Sequence, residues 1–576
     1  MGLRTDIFAL LREWCDTLIS YTVHSHSSRL DGALLCPACT VVHGRIGDLV
    51  YPMMLLYRET GEEKYREAAK QYLGWTKENL LREDGTLYND AGNPWKGTTA
   101  FSALALGEAL RHFGHLLDAE TREDWQALFR RLTYACATYF EDPRFDPNVN
   151  YYAGAAALFA LGYRSLGDPY LLEKARMWEA KCHGLFDREG LLFGEGKEKS
   201  EEKTTKKGCR TVDLGYNLEE SIPLLLMHAV WLGDEPLIAY YTEKAKAHLH
   251  FVLPDGAIDN SFGTRHNKWT YWGSRTSDGM QGGLILVANR DPLIAKACLA
   301  NFKLLRRCTH GGLLHQGLMS EMAGESACLH HAFTHAKALA SFWMQADEAC
   351  FAACEATPLP REREGVRSFQ NGNVYTVTRG GWIATVNASD AVEYRGADNG
   401  GGALSLLYHA AYGPVMAATP HAYLPTEPLN MQYQRHADTA FCQTARFLSA
   451  EEDYSSDCDR SVRLRAEGYS VTAESADFPL RVRYDFEGSC IRITLQSERD
   501  GRYYLPLIAS LQDSVAQRDG GVVLRSLLTV SADTAFDLLP RGGGRFFHQV
   551  GGFQYLQLCF PVTASKPLCL TLAVNT

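Results

Sequence analysis

The sequence has no apolar run long enough to cross a bilayer, and it lacks the basic excess that a nucleic-acid surface requires. Its 576 residues carry a formal net charge of -10, so any polyanionic partner has to be held by a local group of cations. The 16 cysteines are scattered rather than spaced as a disulfide framework. With 46% apolar residues, the chain is expected to build two or three large cores.

The amino-terminal segment, residues 1–14, predicts an amphipathic helix. It lacks the apolar centre and the small-residue cleavage site that are typical of a secretory signal. Scattered cysteines are typical of a reducing compartment. Together these observations predict a cytoplasmic protein with free, mostly buried thiols, and with neither a membrane nor a nucleic acid as partner.

An internal repeat is the strongest sign of the fold. A turn followed by a helix with a basic end recurs four times, at residues 60–69, 166–175, 232–238 and 289–297. Roughly twenty residues after each start comes a glycine turn with a short extended tail, at residues 84–88, 188–193, 255–258 and 311–315. Apolar periodicity adds helices over residues 47–59, 98–115, 122–140, 151–166 and 214–231.

About a dozen alternating helices between residues 6 and 345 predict a closed double ring of six helical hairpins, an (α/α)6 toroid. The ends of its inner helices would line a central cleft. After residue 358 short alternating runs separated by Gly, Asp and Ser turns predict an antiparallel β-sandwich. The predicted domains are a catalytic toroid over residues 1–357, a linker over 358–365 and the sandwich over 366–576.

Residues 253–279 concentrate cations, aromatic rings, amides and glycines. Aromatic faces stack on pyranose rings, and Arg binds a carboxylate with a bidentate fork. This block therefore predicts a site for a sugar acid, built from Arg265, Lys268, Tyr271, Trp272 and Arg275. The alternative is a long loop whose aromatic residues only cover the core.

A helical toroid followed by an antiparallel β domain resembles the architecture of alginate, chondroitin and heparinase II/III-like polysaccharide lyases. Three blocks, residues 36–52, 213–221 and 272–278, resemble the L-rhamnose-α-1,4-D-glucuronate lyases. The resemblance implies an enzyme that cleaves a glycosidic linkage at a uronate. Residues 399–408 depart from the heparinase-like pattern, because the histidine of its His-Ala-Asp motif is missing, so no catalytic or metal site is expected in the β domain.

Elimination at a uronate requires a neutralised carboxylate, a base for the C5 proton and an acid for the departing oxygen. His43 and Tyr216 are the predicted proton-transfer groups. Arg45 and Arg265 are the predicted carboxylate clamps, and Tyr271 completes the predicted catalytic set. Each has a structural alternative; His43, for example, would cap a helix or pair with Asp48.

The predicted substrate-binding residues share positions at helix starts or in the 253–279 block: Asn150, Tyr151, Asn217, Glu220, Lys268, Trp272, Arg275 and His331. Their alternatives are also structural. Asn150 and Tyr151 would pack the start of an Ala-rich helix, and Glu220 would favour a helix amino terminus. His331 would belong to a satisfied helix face, since no HExxH arrangement accompanies it.

Cys36, Cys39 and His43 form an ambiguous group. A structural zinc site needs a fourth ligand, and no second CxxC or spaced Cys-His pair completes it nearby. A redox role would require a βαβ context, which is missing. We therefore expect buried thiols that shape the cleft floor, with no metal and no cofactor.

The sequence thus predicts a lyase that acts on a uronate-containing oligosaccharide or polysaccharide, with glucuronate as the uronate. It would leave a 4,5-unsaturated uronide and act in exo mode, because long polymers do not reach the cytoplasm. Two alternatives stay open: a non-catalytic carbohydrate-binding protein, and a hydrolase using two carboxylates from Asp213, Glu219, Glu220, Asp259 and Asp278. The oligomeric state is not predicted.

Overall fold

The computed structural model describes residues 2–25, 28–90, 92–196, 204–322, 324, 326–391, 400–418, 443–518, 520–539 and 553–575. Residue 399 lies outside these described ranges. It is the first residue of segment 399–408, whose sequence differs from the heparinase-like pattern. None of the described helices combines the length and the apolar character needed to span a membrane.

Helices fill the first part of the chain, up to residue 354. Their bounds are α1 Leu3–Ser20, α2 Val50–Thr60, α3 Glu63–Leu80, α4 Thr99–Phe113, α5 Ala119–Tyr139, α6 Val149–Leu166, α7 Pro169–His183, α8 Leu214–Tyr216, α9 Ile222–Leu232, α10 Glu235–His248, α11 Gln281–Ala288, α12 Pro292–Arg307, α13 Leu329–Gln345 and α14 Glu348–Cys354. A 3-10 helix, Gly44–Leu49, leads into α2, and a π-helical turn, Asn217–Ser221, joins α8 to α9.

Six of these helices form a closed inner ring. Helix α2 packs on α4, α4 on α6, α6 on α9, α9 on α11 and α11 on α13, and α13 returns to α2. The outer helices α1, α3, α5, α7, α10 and α12 cover this ring from outside. The predicted (α/α)6 toroid is confirmed, and the five predicted helices are present with shifted ends.

The repeated turns explain where inner helices stop and outer helices start. Gly167 and Gly233 end α6 and α9 with φ of 72° and 69°, a left-handed conformation that glycine adopts without strain. One residue later, Asp168 and Asp234 accept hydrogen bonds from the first turns of α7 and α10. Proline in the first turn of each outer helix costs no hydrogen bond there.

The glycine turns after the outer helices are confirmed as well. Three of them fold the chain back into a short antiparallel contact, Leu81 with Leu87, Phe186 with Leu192 and Val252 with Ile258, and the fourth forms a small hairpin in which His310 pairs with Leu313. These turns return the chain from the outer ring to the start of the next inner helix.

Small residues let the inner helices approach closely. Helix α6 is buried on nearly every side from Val149 to Gly162, and Ala and Gly make up half of that stretch. In α11, a Cβ on Gly283 would lie 2.1 Å from the carbonyl oxygen of Pro223 in α9. The Ala- and Gly-rich composition of these helices is therefore a packing requirement of the closed ring.

Strands β1 Trp269–Thr270, β2 Gly273–Ser274, β3 Thr309–His310 and β4 Leu313–Leu314 form two small hairpins in the toroid. The remaining strands are β5 Gly365–Phe369, β6 Val374–Arg379, β7 Trp382–Asn387, β8 Ala403–His409, β9 Gly413–Ala417, β10 Arg446–Ser449, β11 Arg463–Glu467, β12 Ser470–Glu474, β13 Leu480–Phe486, β14 Cys490–Ser497, β15 Gly501–Ile508, β16 Val515–Arg518, β17 Gly521–Leu524, β18 Leu528–Ala532, β19 Asp537–Leu538, β20 Tyr555–Val562 and β21 Leu568–Val574.

These strands form three antiparallel sheets. Their orders are β5-β6-β7-β8-β9, β10-β15-β20-β19 and β11-β12-β13-β14-β21-β18-β17-β16. One apolar core joins all three, which is the arrangement of a sandwich. The second face of the five-stranded sheet packs on the toroid, so that β7 and β8 are buried along their whole length.

Candidate active site

The amino-terminal ends of several inner helices meet in one place, the mouth of the toroid. Arg45 lies in the 3-10 turn before α2, Asn150 in the first turn of α6, and Tyr216 in α8. Asp278 precedes α11, and Lys337 projects from α13. Helix amino termini carry partial positive charge, so their convergence favours an anionic ligand.

The π-helical turn 217–221 has a local cause. Pro223 has no backbone N–H, so a regular α-helical hydrogen bond to residue 219 is impossible. A single wider turn absorbs this loss, as π turns inside α-helices do. It leaves two adjacent acids, Glu219 and Glu220, both buried but with different partners.

Eight residues connect through contacts around the mouth, and we term them the mouth network. They are Arg45, Asn150, Glu195, Tyr216, Glu220, Arg265, Thr276 and Asp278. Five of them belong to the predicted site: Arg45, Asn150, Tyr216, Glu220 and Arg265. The sequence reasoning did not identify Glu195 or Thr276 as site residues, because neither stands out from its surroundings in the sequence.

Tyr216, one of the two predicted proton-transfer groups, lies within the mouth network. Its hydroxyl forms a short hydrogen bond with the hydroxyl of Thr276. The guanidinium carbon of Arg265 lies 4.2 Å from the centre of its ring. Arg265 is itself fixed by Glu195, with 2.7 Å between Nη1 and Oε2. A cation at this position stabilises negative charge that develops on the phenolic oxygen.

Glu220 is held as a neutral acid. Burial, reinforced by the negative charge of Asp278, raises its pKa to about 8. The amide Nδ2 of Asn150 donates to its Oε1 at 2.8 Å. Among the described residues, neither Oε2 of Glu220 nor Oδ1 of Asn150 has a hydrogen-bond partner. Two buried, unpartnered polar atoms side by side are typical of a ligand site.

Arg45 has its charge compensated on two sides. Its guanidinium donates to Asp48 at 2.7 Å and to Asp278 at 2.6 Å. Lys337 donates to the same two carboxylates, at 2.8 Å each. Burial alone would raise the pKa of Asp48, but Arg45 and Lys337 hold it below its ordinary value. Arg45 and Lys337 are thus a positioned pair of cations at the mouth.

Glu219 is a fully satisfied neighbour of Glu220. It accepts hydrogen bonds from the backbone N–H of Ser274 and the hydroxyl of Ser277, at 2.7 and 2.6 Å. Its Oε1 lies 3.3 Å from Nε2 of His335. The Glu219 carboxylate can lie this close to the backbone only because residue 273 is glycine. A Cβ on Gly273 would lie 2.0 Å from the carboxylate carbon of Glu219. Glu219 therefore ties the 253–279 block to α13.

Two predicted site residues lie apart from the mouth network and pack the core. The hydroxyl of Tyr271 donates to Asp255 at 2.9 Å, and its ring contacts Phe553. Burial raises the pKa of Tyr271 well above its ordinary value, so it is a poor proton donor or acceptor. Nδ2 of Asn217 donates to the carbonyl of Leu192 at 2.8 Å, inside the helix packing. Both side chains lie in the packing, Oδ1 of Asn217 has no hydrogen-bond partner among the described residues, and the roles predicted for Tyr271 and Asn217 stay predictions.

Three more predicted binding residues, Trp272, Arg275 and His331, lie where the 253–279 block meets α13. Nε1 of Trp272 donates to the carbonyl of His315, and its ring packs edge-on against His331 and His335. Arg275 is buried and donates to Gln316 at 3.1 Å. Burial lowers the pKa of His331 to about 3, so its imidazole is neutral. These residues hold the 253–279 block against α13, and the binding roles predicted for them stay predictions.

Tyr151 and Lys268 border the mouth network. Nε1 of Trp95 donates to the hydroxyl of Tyr151 at 2.8 Å, and the ring of Tyr151 contacts the rings of Trp95 and Phe101. This aromatic group adjoins Asn150. Lys268 is buried and acts electrostatically on His330.

His43 lies beside the mouth network rather than in it. Its Nε2 is 3.3 Å from the thiol of Cys328, which also contacts Cys36 and Cys39. The ring of His330 lies 5.2 Å from that of His43. Burial and the nearby cations lower the pKa of His330 well below its ordinary value. The sequence reasoning missed Cys328, whose only local signal is its place next to the histidine-rich start of α13.

The other acids considered for hydrolysis bind neighbouring segments of the fold. Oδ1 of Asp213 caps α8 and accepts from the side chain of Asn260, whereas its Oδ2 has no hydrogen-bond partner among the described residues. Asp259 pairs with Arg361 at 3.1 Å at the boundary with the five-stranded sheet. Both therefore stabilise the fold.

The chain matches two families over almost its entire length. Residues 11–362 match the ulvan lyase N-terminal domain, and residues 366–575 match the ulvan lyase C-terminal domain. A broad-specificity ulvan lyase of Formosa agariphila is 34% identical over 98% of this chain and 93% of its own.

Solved structures show the same architecture. A chondroitin AC lyase of Streptomyces coelicolor A3 aligns with a TM-score of 0.58 at 10% identity, covering 100% of this chain and 79% of its own. A heparinase III aligns with a TM-score of 0.52 at 11% identity, covering 98% and 84%. At such identities these likenesses concern the fold alone. The two family matches and the 34% identical relative establish more: the chain belongs to the ulvan lyase family and is a polysaccharide lyase.

Proposed function

We propose that this lyase cleaves a glucuronate linkage in a uronate-containing polysaccharide by β-elimination and leaves a 4,5-unsaturated uronide. The observation that carries the proposal is the mouth network, in which contacts and charge interactions link a tyrosine, two arginines and a neutral acid. The relative from Formosa agariphila acts on ulvan by its name, so ulvan is the first substrate to test.

The substrate carboxylate binds at Glu220 and Asn150 in this proposal. A protonated Glu220 donates a hydrogen bond to the carboxylate instead of repelling it, and Asn150 donates a second one after reorienting. Arg45 adds positive charge from the adjacent side. Neutralising the carboxylate acidifies the C5 proton and stabilises the enediolate that forms when this proton leaves.

Tyr216 performs the proton transfers. Its phenolic oxygen, in the anionic form that Arg265 stabilises, takes the C5 proton. The same hydroxyl then returns a proton to the departing glycosidic oxygen. Thr276 holds the hydroxyl in place through its short hydrogen bond. His43, the other predicted proton-transfer group, has no part in this scheme because its Nε2 faces Cys328.

Ultraviolet absorbance of the conjugated double bond tests the proposal directly. Purified enzyme is incubated with ulvan, with other glucuronate-containing glycans and with a uronate-free glycan, while reducing ends are counted in parallel. Both signals are expected to rise together on glucuronate-containing substrates only. New reducing ends without absorbance would refute elimination, and turnover of the uronate-free glycan would refute the substrate class.

Exo mode and cytoplasmic location stay predictions. Exo cleavage is expected to release one small product from the first minutes onward, whereas a ladder of intermediate lengths would contradict it. Cell fractionation with a cytoplasmic marker tests the location.

A further inference from the structure

Cys36, Cys39, His43 and Cys328 form a cluster that the lyase chemistry does not use. Their ligand atoms all lie within 4.8 Å of one another, and all but Cys39 are buried. The Sγ atom of Cys328 is 3.8 Å from that of Cys36, 3.6 Å from that of Cys39 and 3.3 Å from Nε2 of His43. We propose that these four side chains bind a zinc ion that fastens the segment before α2 to the start of α13.

The distances fit a tetrahedral metal centre. Zn–S bonds of about 2.3 Å and Zn–N bonds of about 2.0 Å at tetrahedral angles place two sulfurs about 3.7 Å apart and a sulfur and a nitrogen about 3.5 Å apart. The observed separations are 3.6 to 3.8 Å and 3.3 Å. A disulfide would need about 2.05 Å, and a third thiol would remain. Three sulfurs and one imidazole nitrogen are the donor set of a closed structural zinc site.

The backbone of the first two ligands is also arranged for such a site. The N–H of Thr40 donates to the carbonyl of Cys36, and the N–H of Cys36 donates to the carbonyl of Val41, each at 2.9 Å. Thr40 has a φ of 58°, an uncommon left-handed conformation for a β-branched residue. This tight turn brings the Cys36 and Cys39 thiols together on the side that faces Cys328.

Charge supports the same assignment. Zinc displaces three thiol protons to the solvent, and Zn²⁺ with three thiolates carries a net charge of -1. The buried Arg275 interacts electrostatically with Cys39 and offsets that charge. This gives Arg275, which lies outside the mouth network, a role of its own.

The metal would have a positioning role and no catalytic one, since four protein ligands leave no open position for substrate or water. Arg45 follows His43 by two residues, and His330 follows Cys328 by two. The ion therefore fixes two segments that border the mouth. It joins parts of the chain that are 292 residues apart between Cys36 and Cys328.

Metal content of the purified protein tests the proposal. Protein prepared under reducing conditions without added metal, then dialysed against a weak chelator, is expected to hold about one zinc per chain by mass spectrometry. Cobalt substitution should give the visible bands of a tetrahedral ion and a thiolate-to-cobalt charge-transfer band. Metal-free protein that also takes up no zinc or cobalt under reducing conditions would overturn the proposal.

Variants locate the ion. Cys328→Ser should lose most of the zinc and the cobalt charge-transfer band, whereas Cys298→Ser, at a buried thiol outside the cluster, should keep both. His43→Cys preserves four ligands and should keep the metal even if Cys328→Ser fails to fold. Loss of zinc from Cys298→Ser, or full retention in Cys328→Ser, would refute the assignment. None of these readouts depends on the substrate.

Discussion

Two buried carboxylates show how the boundary between domains differs from the mouth of the toroid. Asp259, at the boundary, accepts hydrogen bonds from Arg361, Thr385 and the backbone of Ser261. Glu220, at the mouth, has one described donor, Asn150, and an unpartnered Oε2. Both acids are almost completely shielded from solvent. In this pair, the saturation of hydrogen bonds, rather than burial, distinguishes the structural acid from the one available to a ligand.

Removing the hydroxyl of Tyr216 is expected to have the largest effect at the mouth. Tyr216→Phe should lower kcat by about 10²- to 10⁴-fold, because it deletes the proton-transfer group, and should leave the fold intact. Initial rates of absorbance increase together with circular dichroism measure both. The matched control is Tyr271→Phe, which loses a hydrogen bond to Asp255 and should cost about 1 kcal/mol of stability with kcat nearly unchanged. Equal kcat losses in the two variants would refute the distinction.

Breaking the domain boundary should cost stability instead of chemistry. Arg361→Met leaves Asp259 buried without its cation, and the free energy of unfolding should fall by about 3 to 5 kcal/mol. Urea denaturation followed by fluorescence measures it. Arg379→Met removes an exposed pair with Glu364 and should have no measurable effect. An unchanged urea midpoint for Arg361→Met would contradict the structural role of the pair.

Glu220 should make stability and activity depend on pH. Its pKa is about 8 in the folded chain, against about 4.3 for an exposed Glu. Between these values the folded state keeps a proton that the unfolded state has lost, so this contribution is complete below about pH 4 and declines as the pH rises toward 8. Glu220→Gln should remove the decline, giving a higher Tm than the unchanged chain at about pH 9 but no advantage at about pH 4.

The same ionisation limits catalysis in the proposed mechanism. In the unchanged chain kcat/KM should fall above about pH 8, as Glu220 begins to repel the substrate carboxylate. Glu220→Gln should flatten that limb. If Tm falls with pH at the same slope in the unchanged chain and in Glu220→Gln, the raised pKa of Glu220 is contradicted.

The smallest expected effect is at the outer ring, far from both regions. Asp234→Ala removes the side-chain cap of α10 and should cost about 1 kcal/mol. Asp234→Ser should restore most of that loss, and neither variant should alter kcat. A change in kcat would contradict this prediction, because it would show that the start of α10 is coupled to the mouth of the toroid.

The fold was readable from the sequence because its signals are local. Glycine ends an inner helix, and an Asp followed closely by Pro starts the next outer one, at fixed spacing. The fully buried strand β8 was harder to interpret, because it is covered on both faces and does not alternate.

The candidate site was readable only in pieces. Asn150 and Tyr216 could be placed at helix starts, but the contact between Arg265 and Tyr216 depends on how two distant segments pack. Tyr271 and Trp272 are neighbours in sequence, yet one faces Asp255 and the other faces α13. Cys328 lies 285 residues from His43, so no spacing rule connects the two.

Closure of the inner ring through α13 and α2 has a consequence for biosynthesis. At roughly 5 to 20 residues per second, a ribosome needs about 15 to 60 s to add the 292 residues between Cys36 and Cys328. During that time the apolar face of α1 lacks its main partner, α13. The nascent chain therefore exposes apolar surface for a long interval before the ring closes, and surface of this kind is prone to aggregation.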